Sequence, residues 1–270
     1  MSESLKEAMK EALTKVPAVT LGFWIIKILA TTLGETGGDA VSMSFTDSIG
    51  LSHDAGYVIG TALFLPLLLG LVWLQIKARA FHPFLYWATI VASTTAGTTM
   101  ADFATRSLGI GYTGGSLILF VCLMAVLGLW YWSLGSISVQ TVNTPKVEAF
   151  YWAAITFSQT LGTALGDWIA DTGLGYGGGA LVFGAGLALL ASLYYWMDVS
   201  RVLLFWAAFI LTRPLGATVG DFLDKPLDHG GLALSRPIAS LVIAMFMIAC
   251  ILLFPQRAGS HPRRFEQMAG

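Results

Sequence analysis

Charge is what this sequence has least of. Among 270 residues there are 15 Lys or Arg and 16 Asp or Glu, so charged residues are 11% of the chain, against roughly 25% in a soluble domain. That is too little charge to wet a globule of this size. The net charge of −1 also excludes the basic field that holds nucleic acid. The two cysteines, Cys122 and Cys250, both lie inside long apolar runs. That leaves no disulfide framework and no thiolate metal site. The four histidines all fall outside those runs, and Met43 and Met100 are too few for a soft-metal path. Zinc and copper are therefore disfavoured. A Gly-Lys-Ser/Thr phosphate loop is missing, as are the His-Glu-x-x-His and Gly-x-Ser-x-Gly patterns of membrane hydrolases. The expectation is a protein that is not an enzyme, uses no cofactor and takes no energy from ATP.

Apolar residues, at 56%, fill what these absences leave, and they come in long runs. A helix needs about 20 mainly apolar residues to cross a bilayer. Eight stretches qualify: 17–40, 55–75, 84–105, 114–134, 149–170, 178–197, 202–223 and 236–254. They are too long and too continuously apolar for barrel strands. The fold class expected is an all-α integral membrane protein of eight transmembrane helices. Residues 1–16 are no signal peptide, since they mix charge signs and lack an apolar core. Ser4 with Glu7 fits a capping box, and Leu5, Met9, Leu13 and Val16 recur on one face. That predicts a helix along the membrane surface. Lys and Arg at the termini and the even-to-odd connections number ten, against three opposite (Arg106, Lys225, Arg236). Both termini are then cytoplasmic, with residues 257–270 a cytoplasmic tail. Phe23-Trp24, Tyr86-Trp87, Tyr151-Trp152 and Phe205-Trp206 open the odd helices, while Trp73, Trp130 to Trp132 and Tyr194 to Trp196 close even ones. Together they read as one interfacial aromatic belt.

The four aromatic-Trp pairs also start four copies of one pattern. Fifteen residues after Trp24, Trp87, Trp152 and Trp206 stand Asp39, Asp102, Asp167 and Asp221. Ten residues after each Trp is Gly34, Gly97, Gly162 or Gly216, and fourteen after is Gly38, Ala101, Gly166 or Gly220. Eight after is Thr32, Thr95, Thr160 or Pro214. The copies run over about 17–80, 81–145, 146–199 and 200–256. Each carries two spans, so successive copies enter the bilayer the same way up. The expectation is four parallel-topology helical hairpins about an axis along the membrane normal, not inverted repeats. The glycines suit close helix contact in lipid. The Gly-rich linkers after the aspartates, such as 109–115 and 173–179, suit tight turns.

The aspartates need a reason. At ~1.5 Å per residue each lies about 22 Å past the Trp level, where a carboxylate costs a few kcal/mol. They either line a wet cavity that binds cations or protons, or they cap the segment that follows. The copies diverge around them. Copy one adds Lys27 and Glu35, and Glu35 shares a helical face with Asp39. Copy two adds Arg106, copy three Asp171, and copy four Asp224, Lys225 and, before Pro214, Arg213. Lys27 and Arg213 either snorkel to the interface or neutralise an acidic partner and tune its acidity. Hard oxygen ligands of this kind suit Mn²⁺, Mg²⁺, Ca²⁺ or Na⁺.

The aromatic-Trp…Gly-Asp copies resemble a bacterial inner-membrane family defined by tandem copies of a short repeat of unknown function, usually labelled an uncharacterised membrane-anchored protein. The resemblance covers about Val16 to Phe254 and implies an eight-span bacterial inner-membrane protein without naming a substrate. Glu35 to Asp39 is also similar to the Glu-x-Gly-Asp signature of a manganese and calcium cation/proton exchanger family, with one extra residue and no basic residue after the Asp. The function expected is secondary transport of a small cation such as Mn²⁺, with or without exchange for protons. Glu35, Asp39, Asp102, Asp167 and Asp221 would bind the ion. Thr32, Thr95, Thr160, Lys27, Arg213 and Asp171 would line or tune the path. The partners are membrane lipid and the ion. The other readings are a structural or partner-binding membrane protein, and a carrier of small organic solutes.

Overall fold

A computed structural model describes residues 13–260. The Ser4–Glu7 capping box lies outside the described residues. The described chain is almost entirely helical. Its long helices are α1 (Leu21–Asp39), α2 (His53–Lys77), α3 (Pro83–Asp102), α4 (Gly111–Leu134), α5 (Pro145–Ile169), α6 (Gly175–Trp196), α7 (Arg201–Asp224) and α8 (Arg236–Leu253). Local chemistry sets their starts. The hydroxyls of Thr20, Ser52, Thr144 and Ser200 accept from backbone N–H groups in the first turns of α1, α2, α5 and α7, which relieves otherwise unpaired donors. Pro83 and Pro145 occupy first-turn positions, where a missing N–H costs nothing. Pro214 sits inside α7, and helix continues on both sides of it.

Among the described residues, five helical segments are long and apolar enough to cross a membrane: α2, α4, the stretch Pro145–Trp196 that joins α5 to α6, α7 and α8. Helices α1 and α3, of 19 and 20 residues, fall outside this group.

The four odd helices form a closed ring in which α1 packs on α3, α3 on α5, α5 on α7 and α7 on α1. The repeated spacing of small residues explains the closeness. A Cβ on Gly34 would collide with Thr94, one on Gly97 with Gln159, one on Gly162 with Arg213, and one on Gly216 with Thr31. Each contact joins the Gly ten residues after one Trp to the residue seven after the Trp of the neighbouring helix. The helices are therefore parallel and in register, and glycine lets the backbones meet.

The even helices correct the hairpin expectation. Helix α2 packs on α3, α4 on α5, α6 on α7 and α8 on α1. Each outer helix thus leaves its own copy and covers the next copy's inner helix, and α8 closes the circle. The copies interlock because an odd helix already spends its flanks on two ring neighbours. Its outer face is free for a helix that a short connection brings round.

Three further expectations change. Residues 13–16, placed in a surface helix over 1–16, belong instead to strand β1 (Leu13–Pro17), antiparallel to β2 (Ala258–Ser260) in the expected tail. The aromatic pairs opening the odd helices do not form an outer belt. Phe23, Tyr86, Trp87, Tyr151, Trp152, Phe205 and Trp206 are buried and pack on one another, edge to face or tilted, inside one end of the ring. Hydroxyls of Tyr86 and Tyr151 meet at 2.6 Å. Of the aromatics ending the even helices, Trp73, Trp132, Tyr195 and Trp196 face outward, whereas Trp130 is buried. Finally, the chain after Asp39, Asp102 and Asp167 winds into π-helical turns (Ala40–Phe45, Phe103–Ser107, Ala170–Leu174). Periodicity did not signal these. Beyond them the glycine turns appear as expected, with Gly109, Gly111, Gly173 and Gly175 in the left-handed region, where a side chain would strain the backbone.

Candidate functional site

The ring axis is layered. Beneath the aromatic end comes a layer three residues after each Trp: Lys27, Ile90, Ile155 and Phe209. Next, at seven residues, come Thr31, Thr94, Gln159 and Arg213. At eleven come Glu35, Thr98, Thr163 and Ala217, and at fifteen the four aspartates. All sixteen side chains are buried.

The aspartates point neither outward nor into helix caps. Asp39 and Asp102 make no side-chain bond to the turns they precede. They face one another in two cation-bridged pairs. Arg106 holds Asp102 at 3.1 Å and Asp167 at 3.0 Å, and its other nitrogen donates to the Tyr57 hydroxyl at 3.2 Å. Lys225 holds Asp221 at 3.0 Å and pairs with Asp39. Each cation lies one helical turn beyond an aspartate of its own helix, so an i, i+4 pair reaches across to a second helix.

Deeper, Arg213 reaches across the axis. Its guanidinium bonds Glu35 at 2.8 Å and Thr98 at 2.6 Å, and it also donates to Thr163. One side chain from α7 thereby ties α1, α3 and α5. The oxygens of Glu35, Asp39 and Asp221 lie within 4.8 Å of one another, so these three could share one cation. Asp39 Oδ1 and both oxygens of Asp221 accept no hydrogen bond, and the Lys225 ammonium already stands between the two residues. Asp224, also buried, has Arg236 at 3.7 Å, and Arg236 reaches Asp39 at 3.9 Å. The centre thus sets six carboxylates (Glu35, Asp39, Asp102, Asp167, Asp221, Asp224) against four basic groups (Arg106, Arg213, Lys225, Arg236). Two negative charges are in surplus. Buried charge without a partner is expensive, so this centre calls for protons or a cation.

A cavity of about 180 Å³ opens at this end, lined by Arg106, Tyr112, Asp167, Asp171, Gly175 and Tyr176, among others. Asp171 is exposed at its mouth, and Asp167 lies on the ring itself. Water and ions therefore have a short approach to one aspartate pair.

Four stretches of the chain, residues 22–81, 85–136, 150–200 and 204–257, match the family model described as Repeat of Unknown Function (DUF347). The chain belongs to this family. The four tandem matches are the four copies that close the ring. No curated protein and no solved structure matches the chain.

Within the DUF347 ring the sequence-predicted residues separate into two groups. Glu35, the four aspartates and Arg213 meet at the axis. Thr32, Thr95 and Thr160 stand one residue past the axial position seven, and their hydroxyls donate to carbonyls of their own helices (Ile28, Val91 and Thr156) at 2.9–3.0 Å. Lys27 and Arg213 are both fully buried, which removes snorkelling. Lys27 sits twelve residues from Asp39, about 18 Å along the helix. It contacts Gln159 and the Phe209 ring rather than any acid. Sequence reading missed Thr98, Thr163 and Gln159. The signal was available, since positions seven and eleven after each Trp share a face with position fifteen, one turn apart.

Proposed function

We propose that the protein is a secondary membrane carrier of a small hard cation, coupled to protons, that spans the bacterial inner membrane eight times with both termini in the cytoplasm. It is a carrier rather than an enzyme. The observation that supports this best is the surplus of carboxylates at the centre of the ring, six against four basic groups, approached by the cavity at Asp171. In this reading Lys225 and Arg106 are tethered counter-ions. A cargo cation takes the place of the Lys225 ammonium among Glu35, Asp39 and Asp221, and protons move on carboxylates that the cargo leaves. Mn²⁺ fits the oxygen ligands, as do Mg²⁺, Ca²⁺ and Na⁺. Lipid covers the apolar outer faces of the even helices.

The test is uptake into proteoliposomes, with Mn²⁺, Mg²⁺, Ca²⁺ or Na⁺ outside and a pH dye inside. We expect saturable flux of one cation with opposed proton movement. Asp167→Asn leaves Arg106 paired with Asp102, so it should cut flux on the order of 100-fold while the melting temperature changes little. Flux no greater than in empty liposomes for every ion would favour the second reading. In that reading the ring is a structural scaffold, and it is supported by the internal cation that each aspartate pair already holds.

A further inference from the structure

The charge imbalance reverses nearer the aromatic end, and this does not depend on the transport reading. Lys27 is fully buried and has no carboxylate within ion-pair distance among the described residues. Its ammonium crosses the axis from α1 to Gln159 Oε1 of α5, at a long 3.5 Å, and stands 4.1 Å from the centre of the Phe209 ring. One long contact and one ring face leave most of its donor capacity and its charge unmet. Two more donors at this level are orphaned. Gln159 Nε2 and Arg213 Nε are buried and have no hydrogen-bond partner. The neighbouring hydroxyls do not help, since Thr31 and Thr94 donate to the carbonyls of Thr212 and Ala30. Arg213 is already matched by Glu35, so a protonated Lys27 would be the one positive charge here without a counter-charge. Water would satisfy the donors but leave that charge. The other side chains of the Lys27 layer, Ile90, Ile155 and Phe209, are buried and apolar, surroundings that suit a weakly hydrated ion.

We propose that Lys27, Gln159 and Arg213 form a binding site for a small monovalent anion of the halide class, held on the axis between the aromatic end and the carboxylate ring. The anion neutralises Lys27 and bridges α1, α5 and α7, so it acts as a structural ion of the ring.

Thermal unfolding of the purified full chain in detergent tests this, with sodium chloride or bromide compared with sodium gluconate at equal ionic strength. A saturable rise of roughly 5 °C is expected once chloride exceeds its Kd about a hundredfold. Lys27→Met and Gln159→Leu should each remove the dependence, and Asp171→Asn should keep it. Bromide-soaked crystals should show one anomalous peak beside Lys27 Nζ. An equal melting temperature in chloride and gluconate, as a neutral Lys27 amine would give, overturns the site. So does a chloride effect unchanged in Lys27→Met. Should that variant not fold, the Gln159→Leu response and the anomalous map decide. Flux is not read, so this result stands apart from the transport test.

Discussion

Lys225 shows how much depends on single side chains here. Its ammonium is shared between Asp39 and Asp221, both buried. Taking one partner from a buried ion pair typically costs about 3–5 kcal/mol, because the remaining charge is stranded. Lys225→Met should therefore destabilise the protein by an amount of that order, measured by denaturant or thermal unfolding in detergent. Adding Asp39→Asn removes one stranded carboxylate and should recover part of the loss. If the double variant is no more stable than Lys225→Met alone, the bridging role assigned to Lys225 is wrong. The individual aspartates were legible in the sequence because four acids at one spacing inside apolar runs demand an account. Their cations were visible as residues, but their pairing was not. Whether Arg106 meets Asp102 alone or also Asp167 depends on which helix is its neighbour across the ring.

Elements meet through their glycines. Gly216 presses so closely on Thr31 that a Cβ would overlap its side chain and backbone, and this contact closes the ring between the last copy and the first. Gly216→Val forces α7 away from α1. Overpacking costs typically about 1–3 kcal/mol, and here it should also loosen the Arg213–Glu35 pair just beyond. A lower melting temperature and weaker chloride response are expected, while the same change at Gly70, which meets nothing within 4 Å, should be nearly silent. Equal effects at the two sites would contradict the packing. Helix positions followed closely from apolar runs, caps and prolines. The π-helical turns after three of the aspartates did not, because an extra residue in a turn leaves no mark in hydrophobic periodicity. The strand pair at the termini was equally hidden. Its partners lie far apart in the chain, and Leu13 and Val16 belong to a helical pattern that tertiary pairing overrides at those residues.

The whole molecule is a circle of interlocked copies, and the decisive contact is α8 on α1. The Ser240 hydroxyl of α8 donates to the Thr36 hydroxyl of α1 at 2.9 Å. Replacing both residues with cysteine, as Thr36→Cys and Ser240→Cys, should let an oxidant join the two helices. A shifted band after proteolysis between them would report the bond. Side-by-side hairpins would instead keep α8 on α7 and give no cross-link. At the aromatic end, β1 and β2 pair, and Lys15 ties β1 to Glu148 at 2.6 Å and to the last carbonyls of α2 at 3.2 Å. The two ends of the described chain therefore fasten the same face of the ring.

By itself the sequence determined a membrane-type composition, long helices, four copies, their common direction and the matched distance of each acid from its Trp. Those properties are local or periodic, and bilayer thickness, helical rise and residue spacing suffice to derive them. Tertiary structure alone decided which copy each outer helix covers, that the Phe/Tyr-Trp pairs turn inward, that Lys27 stands apart from the acids, and that the aspartates divide into two bridged pairs. Each of these depends on which side of a helix meets which neighbour. Four similar copies leave that choice open until the ring closes and their differing side chains meet at one axis.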